Sequence, residues 1–259
     1  MSNSFSTEAL AAFHLLEDST ATLVRCGVEF VIVGGWSPFL FHSKKYGHPG
    51  TFDVDVLLHS KSLDDGTFDR ASEELMQSGY LRAAKNPFQA HRILRVGAED
   101  FVFHVDFLNE REPRDELEFV GGNGRMKSIY TQSMQAVFRY ENYRTLPNYP
   151  GLRFPSPETF VVTKAAAARV AKRGRDAFDV FVTVQDQDKI KFSELWQKLV
   201  EQDGLFEDAN QALLKALSDG DAIKKIRHVL QSLPPCSSNG ATLPNEDEIH
   251  DAFSFLVSA

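Results

Sequence analysis

The stretch VEFVIVGGWSPFLFHSKKYGHPGTFDVDVLL, residues 28–58, decides how the chain is read. Val28 to Val33 is dense in β-branched and aromatic residues and stops at Gly34-Gly35, the pattern of a buried strand ending in a tight turn. Ser37 followed by Pro38 predicts a helix start, because serine accepts first-turn amide hydrogens and proline at the first helical position gives up no hydrogen bond. A strand, a glycine pair and a helix N-terminus together offer free amides with no Cβ in the way. Gly34, Gly35 and Ser37 are therefore candidates to hold phosphate. An ordinary turn between buried elements has the same pattern, so the glycines alone do not separate the two.

After a polar loop over residues 43–50, Thr51 is predicted to open a second strand in which Asp53 and Asp55 are separated by one residue. Side chains alternate across a strand, so these carboxylates share one face while Phe52, Val54 and Val56 point to the other. Two like charges on an otherwise apolar strand raise each other's pKa unless a cation sits between them. Magnesium suits the pair, since it takes carboxylate oxygens together with waters and nucleotide phosphates and needs no cage made wholly of protein. Asp-x-Asp taken by itself is more often an edge strand whose aspartates face water.

Glycine pair, short helix and Asp-x-Asp strand together resemble the signature of the nucleotidyltransferase superfamily, the polymerase-β-like fold. Within it the chain looks most like the AbiEii-type bacterial toxins, on Gly34, Gly35, Ser37, Thr51, Asp53 and Asp55. One departure stands out. Many relatives carry an arginine two positions before the threonine, where this chain has Pro49, which leaves either Lys44, Lys45 or His48 to supply the positive charge or an altered nucleotide binding.

The remaining strands and helices alternate in a way that predicts an α+β domain with a mixed sheet. Residues 7–26 space Leu10, Phe13, Leu16 and Leu23 as an amphipathic helix, and a second helix runs from Asp65 or Thr67 to Ser78, closed by Gly79. Strands are predicted near Tyr80–Ala84, His91–Val96 and Phe101–Leu108. In the last of these, Phe101, Phe103, Val105 and Phe107 fall on one face and His104 and Asp106 on the other. The superfamily resemblance makes Asp106 the third metal-binding or base-like carboxylate. Residues 109–127 read as a charged, glycine-rich surface loop, and 130–149 are ambiguous between strand and helix.

Prolines 147, 150, 155 and 157 mark the passage from a catalytic domain over 1–154 to a C-terminal helical domain over 155–259. Ser156-Pro157-Glu158 is a cap, a first-turn proline and an acid near the positive helix end. The alanine-rich helix that follows carries Lys164, and after Gly174 a second helical pattern places Asp176 and Asp179 on one face. The arrangement resembles the second conserved block of the AbiEii-type family. It also makes chemical sense alone: a lysine can hold triphosphate oxygens as a point charge, and an aspartate on the next helix can fix it. A solvated charged face is the plain alternative. From Lys191 onward the apolar spacing predicts a small helical bundle, then a flexible connection over 233–245 and a last helix over 246–257.

A net charge of −8 weighs against broad nucleic-acid binding, although Arg169, Lys172, Arg173 and Arg175 form a local basic run. Cys26 and Cys236 fit no zinc spacing and suggest a reducing compartment. With no secretory signal and no membrane-length apolar run, the expectation is a cytoplasmic protein with no membrane partner. The resulting expectation is Mg2+-dependent transfer of a nucleotide monophosphate from an NTP to a hydroxyl. Asp53, Asp55 and Asp106 bind metal, Gly34, Gly35, Ser37 and Thr51 lie at the nucleotide, and Lys164 and Asp179 assist at the triphosphate. The resemblance implies tRNA or a protein as acceptor and a cognate antitoxin. A small-molecule acceptor, as in aminoglycoside nucleotidyltransferases, and a non-catalytic nucleotide-binding module are the alternatives.

Overall fold

A computed structural model describes residues 4–42, 46–112, 119–120, 126–168, 174–233 and 243–257. Lys44, Lys45, Arg169, Lys172 and Arg173, and most of the connection predicted over 233–245, lie outside the described residues. The chain divides into two compact units, Met1–Trp36 with Gly50–Phe154, and Ser37–Pro49 with Pro155–Ala259. Ser37–Pro49, read from sequence as part of the first domain, thus groups with the second unit.

The described elements run β1 (Ser4–Phe5), α1 (Glu8–Arg25), β2 (Phe30–Val33), α2 (Trp36–Phe41), β3 (Asp53–Leu58), α3 (Ser60–Asp64) and α4 (Thr67–Gln77). They continue through β4 (Leu81–Arg82), β5 (Gln89–Val96), β6 (Glu99–Asn109), β7 (Phe119–Val120), β8 (Ser128–Tyr130), α5 (Gln135–Tyr140), β9 (Tyr143–Leu146) and β10 (Tyr149–Pro155). The second unit holds α6 (Pro157–Ala168), α7 (Gly174–Gln185), α8 (Lys189–Gln202), α9 (Gly204–Ser218), α10 (Asp221–Ser232) and α11 (Glu246–Ala252). This is an α+β fold, a mixed sheet followed by helices.

In the first unit the sheet order is β1-β5-β6-β3-β2, with β3 parallel to β6 and antiparallel to β2. One face of the sheet is mostly apolar: Val54, Val56, Phe103, Val105 and Phe107 are buried, and Arg92, opposite Phe103, is paired there with Asp18 of α1. Leu15 and Leu16 of α1 and Phe68 and Leu75 of α4 are buried with them, Phe68 meeting Phe107 edge-on with ring centroids 5.0 Å apart. Leu10 is a correction to the predicted stripe of α1, since it is 53% exposed. Besides the predicted Leu16 and Leu23, the helix buries Leu15 and the small residues Ala11, Ala12 and Ser19, which admit close approach.

The opposite face is divided. Val31, Val33 and Leu57 pack under Met134, Val137 and Phe138, so α5 and the turn before it cover one end. Asp53, Asp55 and Asp106 lie at the other. The ambiguous 130–149 region resolves into α5 and the β9–β10 hairpin.

In the second unit α6 and α7 are buried nearly all round. Phe160, Val161, Val162 and Ala165 of α6 are shielded, as is every residue from Asp176 to Val184 of α7. A helix buried on all sides must find a partner for each charge it carries. Ser156 caps α6 as predicted, its Oγ accepting from the Thr159 amide at 3.4 Å. The last predicted helix stops at Ala252 and is followed by a 3-10 turn over Ser254–Leu256. Among the described residues no helix is long and apolar enough to cross a membrane.

Candidate functional site

Strand register builds the site in the first unit. In parallel β3–β6 pairing, Asp55 lies opposite Asp106 and Asp53 opposite His104, and residues directly opposite share a face. Across the other edge of β6, Gln89 lies opposite Asp106 and His91 opposite His104. One face therefore carries two rows, Asp55–Asp106–Gln89 and Asp53–His104–His91. The two imidazoles are edge-to-face with centroids 5.9 Å apart. The structure thus brings Asp53, Asp55 and Asp106 together as a set and adds Gln89, His91 and His104, which sequence reading did not assign to the site.

Asp53 is exposed, and Asp55 and Asp106 are half-buried. The strand begins at Asp53 rather than Thr51, whose hydroxyl reaches the Asp53 carbonyl at 3.4 Å. Burial pushes the Asp106 carboxyl above its ordinary range and the Asp53 charge adds to the rise; the Gln89 amide, donating from Nε2 to Oδ1 at 2.7 Å, works against it.

Gly34 has a second reason to be glycine. Its φ is +71°, and a Cβ there would lie 1.8 Å from Asp55 Oδ2 and 2.8 Å from Cγ. The space a side chain would take is filled by the Asp55 carboxylate. Gly34→Ala is expected to lose about 2–4 kcal/mol from the left-handed backbone and the overlap together. Denaturant unfolding of this variant checks the figure, and a loss below 1 kcal/mol would show that Asp55 turns aside freely.

The helix after the glycines differs from its prediction. α2 starts at Trp36, so Ser37, 2% exposed, and Pro38 lie inside its first turn and Ser37 is not the cap. The buried Trp36 takes the start of the helix because its indole Nε1 donates to the Asp53 carbonyl at 2.9 Å. Proline fits inside a first turn, where its missing amide has no partner to lose.

The second unit holds a cluster of charges of its own. Lys164 Nζ lies 2.7 Å from Asp176 Oδ1 and 3.0 Å from Asp179 Oδ2. His48 Nε2 lies 3.1 Å from Asp179 Oδ1, and Arg175 Nε 3.5 Å from the same oxygen. The sequence reading that an aspartate on the next helix fixes Lys164 is what the geometry shows. Burial alone would raise the Asp179 carboxyl; Lys164, His48 and Arg175 outweigh it and hold it at about 2.

His48 is not the missing positive charge. Its side chain is fully shielded and stacked on Phe178, with centroids 5.8 Å apart. Burial, with Arg175 and Lys164 nearby, lowers its pKa despite Asp179, so it is neutral near pH 7. An ionised Asp179 only accepts, so Nε2 carries the ring hydrogen and Nδ1 is left to accept from Arg175 Nη2 at 3.4 Å.

A pH signature follows. The unfolded chain protonates His48 near its ordinary 6.5 while the native state resists, so stability falls as pH drops below that value. One such group contributes a slope approaching about 1.4 kcal/mol per pH unit. Asp179 has the depressed-carboxylate sign, adding stability above about 3.8 that is lost as pH falls toward about 2. Denaturant unfolding between pH 7.5 and 5 is expected to show a shallower decline for His48→Gln than for the wild type; identical slopes would contradict the buried neutral imidazole.

No family model matches the chain, and no curated protein matches it. Two solved folds are similar. One is the crystal structure of an antigenic nucleotidyltransferase-like protein from Paracoccidioides brasiliensis, 16% identical, over 91% of this chain and 98% of that one, with a TM-score of 0.45. The other is the solution structure of the antibiotic-resistance factor ANT(2'')-Ia, 12% identical, over 85% and 98%, with a TM-score of 0.37. Neither description names the AbiEii-type branch, and at these TM-scores the functional reading stands on the carboxylate face alone.

Proposed function

We propose that the protein is a metal-dependent nucleotidyltransferase that moves a nucleotide monophosphate from an NTP to a hydroxyl acceptor and releases pyrophosphate. The observation that carries this reading is the register that sets Asp55 opposite Asp106, with Asp53 beside them, on one face of the sheet. Three like charges on one face are costly to keep together without a cation.

The donor set fits magnesium. Among the described residues no group of three or more His, Cys, Asp or Glu side chains forms a ready-made metal cage. Magnesium asks for less, one or two carboxylates with water and substrate phosphates completing the shell, and Asp53 and Asp55 supply those oxygens. When bound, it supplies neutralisation of the negative charge on the triphosphate. Gly34 and Gly35 present backbone amides to the phosphates. The acceptor oxygen attacks the α-phosphorus, the bond between that phosphorus and the bridging oxygen to the β-phosphate breaks, and Asp106, with its raised pKa, takes the hydroxyl proton. Following the resemblance in the motif, the acceptor class is tRNA or a protein hydroxyl, with an antitoxin as partner and the cytoplasm as compartment.

The test is to incubate the protein with Mg2+ and each NTP labelled at the α- or the γ-phosphate, offering tRNA, protein and aminoglycoside pools in turn. The expected result is α-label on one pool and γ-label in pyrophosphate. Transfer of γ-label to an acceptor would make the protein a kinase and overturn the reading, and no label on any pool together with no NTP binding would favour a different role for the face.

A further inference from the structure

We infer that Gln89 is a positioning residue that decides which oxygen of Asp106 faces the reaction. The inference rests on the function proposed above.

Gln89 opens β5, and its place is set by the backbone before its side chain is considered. Its amide donates to the Asn86 carbonyl at 2.9 Å, its carbonyl accepts from Ala83 at 3.0 Å, and the neighbouring Phe88 carbonyl accepts from Phe107 on β6 at 2.9 Å. A residue held at both its own amide and its own carbonyl has little freedom to move its Cα. The side chain is oriented at both ends as well. Asn86 Nδ2 reaches Gln89 Oε1 at 3.4 Å, and Gln89 Nε2 donates to Asp106 Oδ1 at 2.7 Å. An ionised carboxylate accepts only, so the amide cannot be turned over without placing oxygen against oxygen. Asn86, Gln89 and Asp106 thus form a directed relay that ends at Oδ1 and reaches Asp106 from the β5 side, across β6 from Asp55.

The relay fixes the rotation of the Asp106 carboxylate, which two-fold torsional freedom would otherwise leave loose. Asp106 lies opposite Asp55, one of the two carboxylates assigned to the cation, and partners that orient the surroundings of a metal site typically change cation affinity or activity by about 10–100-fold when removed.

Gln89→Met keeps length and volume but has no donor. Cation affinity is to be measured with Mn2+ by electron paramagnetic resonance in the presence of a non-hydrolysable NTP analogue, a readout independent of turnover, together with the Mg2+ concentration for half-maximal transfer. The expected result is cation binding weakened about 10-fold or more, a matching rise in the Mg2+ requirement and an unchanged thermal melt. Gln89→Asn, shorter by one methylene, withdraws the donor and should shift both quantities in the same direction, which covers the case of a Met variant that folds poorly. Wild-type Mn2+ affinity and Mg2+ requirement in both variants would overturn the positioning role while leaving nucleotidyl transfer intact. A wild-type protein that binds no Mn2+ with the analogue present would overturn both.

Discussion

Asp55→Asn is expected to lower nucleotidyl transfer by about 10²-fold or more, the scale on which loss of a central electrostatic stabiliser is felt. The substitution is nearly isosteric, so the carboxamide still fills the space left by Gly34, where the native carboxylate sits. What disappears is charge. Asp55 faces Asp106 across the β3–β6 pairing with Asp53 two residues away, and neutralising it relieves repulsion in the native state. The variant is therefore expected to be as stable as the wild type or slightly more so, by up to ~1 kcal/mol. Activity and stability moving in opposite directions is the mark of a charge kept for chemistry. Steady-state transfer rates and denaturant unfolding on the same preparation check both halves, and full activity in Asp55→Asn would remove this residue from the site.

Lys164→Met is expected to have the largest effect on stability, a loss of about 3–5 kcal/mol and a melting temperature lower by roughly 10 °C. Lys164 is the cation within 3.0 Å of both Asp176 and Asp179, and those carboxylates are 6% and 1% exposed. Removing it leaves negative charge in the core of the second unit, where α6 and α7 pack against each other; among the described residues, His48 and Arg175 stay beside Asp179. Since His48 is neutral, the compensation left among the described residues is the Arg175 guanidinium. Lys164→Met combined with Asp179→Asn should recover part of the loss, because the second change removes the charge that the first one strands. Calorimetric melts of the single and double variants measure it. A single variant that melts within 2 °C of the wild type would show that Lys164 is dispensable to the fold and return it to the solvated-face reading.

Much of this was legible in residues 28–58 and 101–108, and the reasons differ from element to element. Alternation on a strand needs no tertiary information, so the shared faces of Asp53 with Asp55 and of His104 with Asp106 were readable directly. Their coming together depends on β3 and β6 pairing in parallel at one particular register, which strand patterns leave open. Gln89 was out of reach for the same reason. Its place beside Asp106 is a consequence of the β5–β6 register, and a lone glutamine at a strand end carries no signal of its own. Ser37-Pro38 misled because cap chemistry is local, while the helix start at Trp36 is set by a buried indole reaching a carbonyl 17 positions away in the chain. The pairing of Lys164 with Asp179 was foreseen as chemistry. That His48 would join them could not be read from spacing, since its segment groups with the second unit across more than a hundred residues.

The central claim is that the carboxylate face is a site for a divalent cation and a triphosphate together. Isothermal titration of an NTP into the protein, with and without Mg2+, tests it most directly, alongside an Asp53→Asn/Asp55→Asn double variant. The account predicts binding by the wild type that requires Mg2+ and is lost in the double variant despite an unchanged melt. NTP binding that is equally strong without Mg2+, or that survives both substitutions, would contradict it.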